Sequence, residues 1–89
     1  MPVFVKIDVE GMEFEVIQEI LASVLVKKIK YVFVELSGSI SKKDKTIKLL
    51  IDSGFKQTFR RNSGIDDALF ENINFSLLSQ PYSVEEHQI

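Results

Sequence analysis

VFVKIDVEGMEFEVIQEI, residues 3–20, decides the fold. Val3, Val5, Ile7 and Val9 alternate with Phe4, Lys6, Asp8 and Glu10 in the two-residue period of a β-strand. Gly11 ends the strand. From Met12 to about Lys28 the apolar residues Met12, Val16, Ile17, Ile20, Leu21, Val24 and Leu25 fall at helical spacing. Glu13, Glu15 and Glu19 lie toward the start of this helix and Lys27 and Lys28 at its end, the order that suits the helix dipole. The β-branched and aromatic run YVFVEL, residues 31–36, then predicts a second strand, closed by the turn-forming Ser37, Gly38 and Ser39. Two strands joined by a helix of this length predict a parallel βαβ unit with a right-handed crossover. The first strand opens almost at the first residue, so the expectation is a cut-down or partial version of a larger fold.

Ser41 is the expected cap of a second helix running from Lys42 to about Ser53, with Ile47, Leu50 and Ile51 facing inward and Gly54 as its stop. A third strand is predicted from Phe55 to Arg61, followed by a loop over Asn62 to Asp67. A last strand is predicted through Ala68 to Phe70, resuming from Asn74 to Leu78 with Glu71 and Asn72 as a bulge or turn. The C-terminal strands are close in sequence and therefore expected to be antiparallel. The fold class is α/β, in the order β-α-β-α-β-β. Residues 1–79 form a single small domain in this reading, and residues 80–89, which are weakly patterned, form a tail.

Composition narrows the function. A chain of 89 residues buries only about 60 to 65% of its extended surface, so its core is thin. The absence of cysteine excludes a disulfide scaffold and a thiol nucleophile, and a lone histidine, His87, excludes a His-rich metal site and a Ser-His-acid set. Eleven basic against thirteen acidic side chains give a formal charge of -2, which exerts no general pull on nucleic acid or anionic membrane. No apolar run reaches the roughly 20 residues of a membrane helix, and residues 1–11 lack the pattern of a signal peptide. A cytoplasmic location is expected. Gly11, Gly38, Gly54 and Gly64 are isolated and form neither phosphate-binding loop pattern. The cations Lys27, Lys28, Lys30, Arg60 and Arg61 read as a solvated face.

The sharpest local feature is KIDVEG, residues 6–11. Asp8 and Glu10 share one side of an extended segment, and the following glycine permits a tight exit or the close approach of a ligand. In an open parallel sheet, ligands bind beyond the carboxyl ends of the strands, where these carboxylates and Glu35 lie. The residues alone leave two readings open. The three carboxylates meet water or favour the following helix, or they converge to bind a divalent cation, hold a substrate hydroxyl or act as a general base. No ligand on a third strand is identifiable, and no metal is assigned.

The motif VKIDVEGMEFEVI, residues 5–17, together with YVFVEL at 31–36, SGF at 53–55 and DALFEN at 67–72, resembles the C-terminal half of an FkbM-type methyltransferase domain. The resemblance covers roughly residues 3–78 and is most specific in the first motif. It implies a partial class I S-adenosylmethionine-dependent fold, with this chain supplying the fourth strand onward of a sheet of seven. It further implies methyl transfer to oxygen of sugar or polyketide-like acceptors. Asp8 then becomes the principal polar residue on the substrate side, with Glu10 or Glu35 as orienting groups. Such enzymes hold S-adenosylmethionine mainly through a glycine-rich loop after the first strand and an acidic residue ending the second, and this sequence carries neither. QEILA, residues 18–22, also departs from the family's leucine-lysine-glycine turn.

These features predict a methyltransferase-like fragment, inactive alone because half of the donor pocket is missing and methyl transfer depends on close alignment of donor and acceptor. No cofactor is expected to bind this chain by itself, and its cofactor-binding residues are not identifiable. The alternative is a small α/β interaction module that self-associates through its first strand or helix. Both versions favour a second copy or a complementing chain, because a former interior strand at Val3 to Val9 would be an apolar edge with unpaired backbone groups.

Overall fold

A computed structural model of the chain describes residues 2–75 and 85–89. The elements run β1 (Val3–Ile7), α1 (Glu13–Ala22), a 3-10 turn (Val24–Lys28), β2 (Ile29–Glu35), α2 (Ile40–Asp52), β3 (Phe55–Ser63), β4 (Ile65–Asn72) and β5 (Glu85–Gln88). They build one sheet in the order β3-β4-β2-β1-β5. β1 and β2 are parallel, with Ile7 beside Val34, while β4 is antiparallel to both β2 and β3. The α/β class, the parallel first pair and the antiparallel C-terminal strands follow the sequence.

Cross-strand partners share a face of the sheet. One face carries Val5, Ile7, Val32, Val34, Ala68 and Phe70, all buried, and α1 and α2 close over it through Ile17 and Leu50. Among the described residues, the largest fully buried side chains are Phe70, Ile7, Ile17, Leu50, Val32 and Val34, so the core sits between this face and the two helices. The opposite face carries the half-buried Phe4, Tyr31, Phe33 and Leu69.

Several boundaries differ from the sequence prediction, each for a local reason. β1 stops at Ile7, because the chain turns at Glu10 and Gly11, where Gly11 takes φ +85°, and the Met12 amide donates to the Val9 carbonyl at 2.9 Å. α1 stops at Ala22 rather than near Lys28, because Ser23 is extended and the following residues tighten into a 3-10 turn. Met12, predicted on the apolar stripe, precedes the helix and is exposed. α2 is capped by Ser39, whose Oγ accepts the Lys42 amide at 3.2 Å, and so begins two residues earlier than a Ser41 cap allows. Leu50 is buried and Ile47 half-buried, but Ile51 is exposed. Gly54 stops α2 as predicted, at φ +93°.

β4 is one continuous strand from Ile65 to Asn72, without the predicted interruption at Glu71 and Asn72. Asn72 instead belongs to the ladder and turns its buried amide to the Ile29 carbonyl at 2.9 Å. The chain turns at Ile73 and Asn74, where the Ile73 amide donates to the Gly54 carbonyl at 3.0 Å; the remainder of the predicted strand, residues 76–78, lies outside the described residues.

The largest difference is at the far edge. β1 is not left open: β5 runs parallel to it, with Val3 beside Glu85 and Lys6 beside Gln88. The pairing continues beyond the strand ends, the Asp8 amide donating to the Ile89 carbonyl at 2.7 Å and the Ile89 amide to the Lys6 carbonyl at 2.8 Å. Weak patterning over EEHQI gave no warning of this, because a short polar strand held by main-chain bonds has no side-chain period to read.

Candidate functional site

The carboxyl ends of β1 and β2 lie side by side because the strands are parallel and in register. One residue beyond the Ile7–Val34 pair stand Asp8 and Glu35, and Glu35 pairs in turn with Asp67 of β4, which pairs with Arg61 of β3. A row Arg61, Asp67, Glu35, Asp8 therefore crosses the sheet end on one face, and Arg61 Nη2 donates to Asp67 Oδ2 at 2.6 Å.

Asp8, Glu10 and Glu35 are exposed. The Asp8 charge, followed by a carboxyl–carboxyl hydrogen bond with Asp8, holds the Glu35 carboxyl above its ordinary range, with smaller contributions from Asp67 and Glu10. Asp8 and Glu35 are thus close neighbours. Glu10 stands in the turn rather than in an extended strand, so strand alternation does not align it with Asp8 as the sequence suggested; Glu35 feels its charge least of the group. Asp67, absent from the sequence candidates, is only 3% exposed and leaves Oδ1 without a partner. Among the described residues, no group of three or more His, Cys, Asp or Glu side chains is disposed to hold a metal ion.

What fixes the two loops behind this row is Glu13, to which the sequence assigned only a favourable interaction with the helix dipole. Glu13 is 3% exposed, and its Oε1 accepts both the Ser37 amide, at 2.7 Å, and the Ser37 hydroxyl. Ser37 Oγ in turn accepts the Gly11 amide at 2.8 Å, and Lys42 Nζ donates to the Gly11 carbonyl at 2.6 Å. The loop after β1 and the loop after β2 are thereby tied together, which holds Asp8 beside Glu35. The available signal was spacing: Glu13 follows Gly11 by two residues, at the first position of α1.

The basic pair on β3 is engaged by side chains rather than free for phosphate. Arg60 donates to Asp66 through Nε at 2.7 Å and Nη2 at 2.9 Å, and Lys43 of α2 reaches the same carboxylate at 3.0 Å. The Arg60 hydrogen bonds hold the Asp66 carboxyl below the usual range, outweighing its burial. A shallow cavity of about 310 Å³, lined by Lys30, Glu71, Asn72, Ile73 and Phe75, lies at the other end of β2, away from the carboxylate row. No described helix is long and apolar enough to cross a membrane.

Comparison with curated proteins and with solved structures gives no match to this chain. The sequence model of the methyltransferase FkbM domain matches residues 2–80, a span that includes both strand ends, the Glu13–Ser37 tie and the Asp66–Asp67 pair. With nearly the whole chain aligned to that domain, the protein belongs to the methyltransferase FkbM family, the S-adenosylmethionine-dependent methyltransferases that the KIDVEG motif resembled.

Proposed function

We propose that this chain is the acceptor side, the C-terminal half, of an S-adenosylmethionine-dependent O-methyltransferase domain, and that it transfers no methyl group by itself. Family membership supports the reaction class. The observation that carries the reading is the convergence of Asp8 and Glu35 beyond the carboxyl ends of adjacent parallel strands, where open α/β sheets receive their ligands.

Asp8 is the principal polar group toward the acceptor, accepting a hydrogen bond from a substrate hydroxyl, and Glu10 or Glu35 orients it. A carboxyl raised above its ordinary range is better suited to take up a proton from a hydroxyl being methylated, which gives Glu35 a general-base role in the same arrangement. The described residues do not fit the methyl donor. Its four glycines at positive φ each close a single turn, and none belongs to a loop of successive glycines that brings backbone amides against a nucleotide. The donor pocket is therefore assigned to residues other than these. The alternative, an interaction module that self-associates through its first strand or helix, drew for the strand on an open β1 edge, and β5 lies along that edge.

The test is calorimetric titration of the chain with S-adenosylmethionine, with light scattering on the same sample. The expected result is no binding at micromolar strength by a folded chain. Micromolar binding would overturn the half-domain reading and would mean that the chain, or an oligomer of it, builds a donor pocket.

A further inference from the structure

β5 is a short strand with a separable set of bonds. It spans four residues, Glu85–Gln88, none of them apolar, and among the described residues its only strand partner is β1. Ile89 bonds to the Lys6 carbonyl and the Asp8 amide, so by the alternation of a parallel ladder His87 and Glu85 direct their main-chain groups at β1 while Glu86 and Gln88 direct theirs away. The end of β4 and the start of β5 lie at the same end of the sheet, since Glu71 pairs with Tyr31, near the start of β2, and Glu85 pairs with Val3, at the start of β1. Three strand spacings, about 14 Å, separate them. The dozen residues 73–84 reach up to about 40 Å when extended, so the tether does not force β5 into its place.

β1 beneath it is a different object. Val5 and Ile7 are core residues, and the main-chain groups of Phe4, Lys6 and Asp8 on the β5 side form a complete pairing edge. We propose that residues 85–89 are a tethered strap that keeps this edge closed, and that release of the strap exposes a docking edge filled by β1 of a second copy of the chain. Covalent attachment through a dozen residues supplies an effective concentration of about millimolar, so the strap outcompetes a second copy at micromolar protein. The second copy fits the edge for a specific reason. Two-fold pairing of β1 with β1, centred on Val5, sets Phe4 against Lys6 twice and Val3 against Ile7, leaves no like charges opposed, and uses the outward main-chain groups of Phe4 and Lys6. Centring on Lys6 would set lysine against lysine. This inference does not depend on the methyltransferase reading.

The test is the light-scattering mass at about 100 µM, with far-UV circular dichroism on each sample, for the intact chain, a chain lacking residues 85–89, His87→Pro and Glu86→Pro. The intact chain and Glu86→Pro are expected at the monomer mass of 10.2 kDa, because proline at position 86 removes only an outward amide. The shortened chain and His87→Pro are expected at twice that mass, and adding Lys6→Pro to either is expected to return it to monomer. An intact chain already dimeric, a shortened chain that stays a folded monomer, or Glu86→Pro associating as His87→Pro does would each overturn the proposal. Loss of the circular dichroism signal in both the shortened chain and His87→Pro would overturn it too, because the strap would then be part of the folding core.

Discussion

Removing the Glu13 carboxylate isolates the contribution of the tie behind the carboxylate row. In Glu13→Ala, the half-buried Ser37 amide and hydroxyl lose an acceptor that is itself only 3% exposed, and Ser37, which still accepts the Gly11 amide, is no longer anchored to the start of α1. A hydrogen bond to a carboxylate contributes about 1.5 to 3 kcal/mol, and a buried donor left unpaired costs about 1 to 3 kcal/mol. Against this, the native carboxylate buries an unpartnered Oε2, whose desolvation the alanine variant relieves. The net loss is about 3 kcal/mol, which for a domain of this size lowers Tm by roughly 12 to 24 °C. Glu13→Gln keeps the accepting oxygen and replaces only the unpartnered one, so its cost is about 1 kcal/mol, the difference between a charged and a neutral acceptor. Urea unfolding followed by far-UV circular dichroism measures both. An alanine variant within 0.5 kcal/mol of the parent, or a glutamine variant as unstable as alanine, would refute the assigned role; the first threshold is about the scatter of ordinary surface substitutions.

Other perturbations bear on different parts of the fold. Asp66→Ala removes the acceptor shared by Arg60 and Lys43 and is expected to cost about 2 kcal/mol in urea unfolding, since both cations retain partial access to water. Because the folded-state pKa of Asp66 is depressed, its contribution is present above the ordinary aspartate range and is lost as pH falls through the folded value; the parent's stability should therefore fall on acidification more steeply than the variant's. Gly54→Ala is expected to cost about 1 to 2 kcal/mol, because φ is +93° and the new Cβ would stand 2.5 Å from Asn74 Nδ2. The same substitution at Gly11, also at positive φ but with open space around its Cβ, should cost less in the same assay.

How much was legible depended on which interaction held each element. The alternation from Val3 to Ile7 and the β-branched run of β2 are side-chain patterns imposed by a buried sheet face, and both strands and their parallel pairing could be read directly. Helix limits were less legible, because they turn on single-residue geometry: Ser39 rather than Ser41 reaches the Lys42 amide, and an extended Ser23 divides what looked like one long helix. The site was half legible. Asp8 and Glu35 follow from parallel register, whereas Asp67 and Glu13 depend on tertiary neighbours, β3 and Ser37, that no local spacing specifies. β5 was invisible for a third reason, since it is held by main-chain bonds that any residue but proline can make.

The convergence of Asp8 and Glu35 is the claim on which the proposed acceptor side rests, and a carboxyl-detected NMR titration of Glu35, in the parent and in Asp8→Asn, tests it most directly. In the parent, Glu35 should titrate above the ordinary glutamate value of 4.5, because the neighbouring Asp8 charge opposes its ionisation. The folded state then holds the Glu35 proton more tightly than the unfolded chain does, so this group's contribution to stability falls as pH rises from the ordinary value through the raised one. In Asp8→Asn the titration should move back toward the ordinary value. An ordinary Glu35 in the folded parent, unchanged by Asp8→Asn, would mean that the two carboxylates do not meet and would contradict the site.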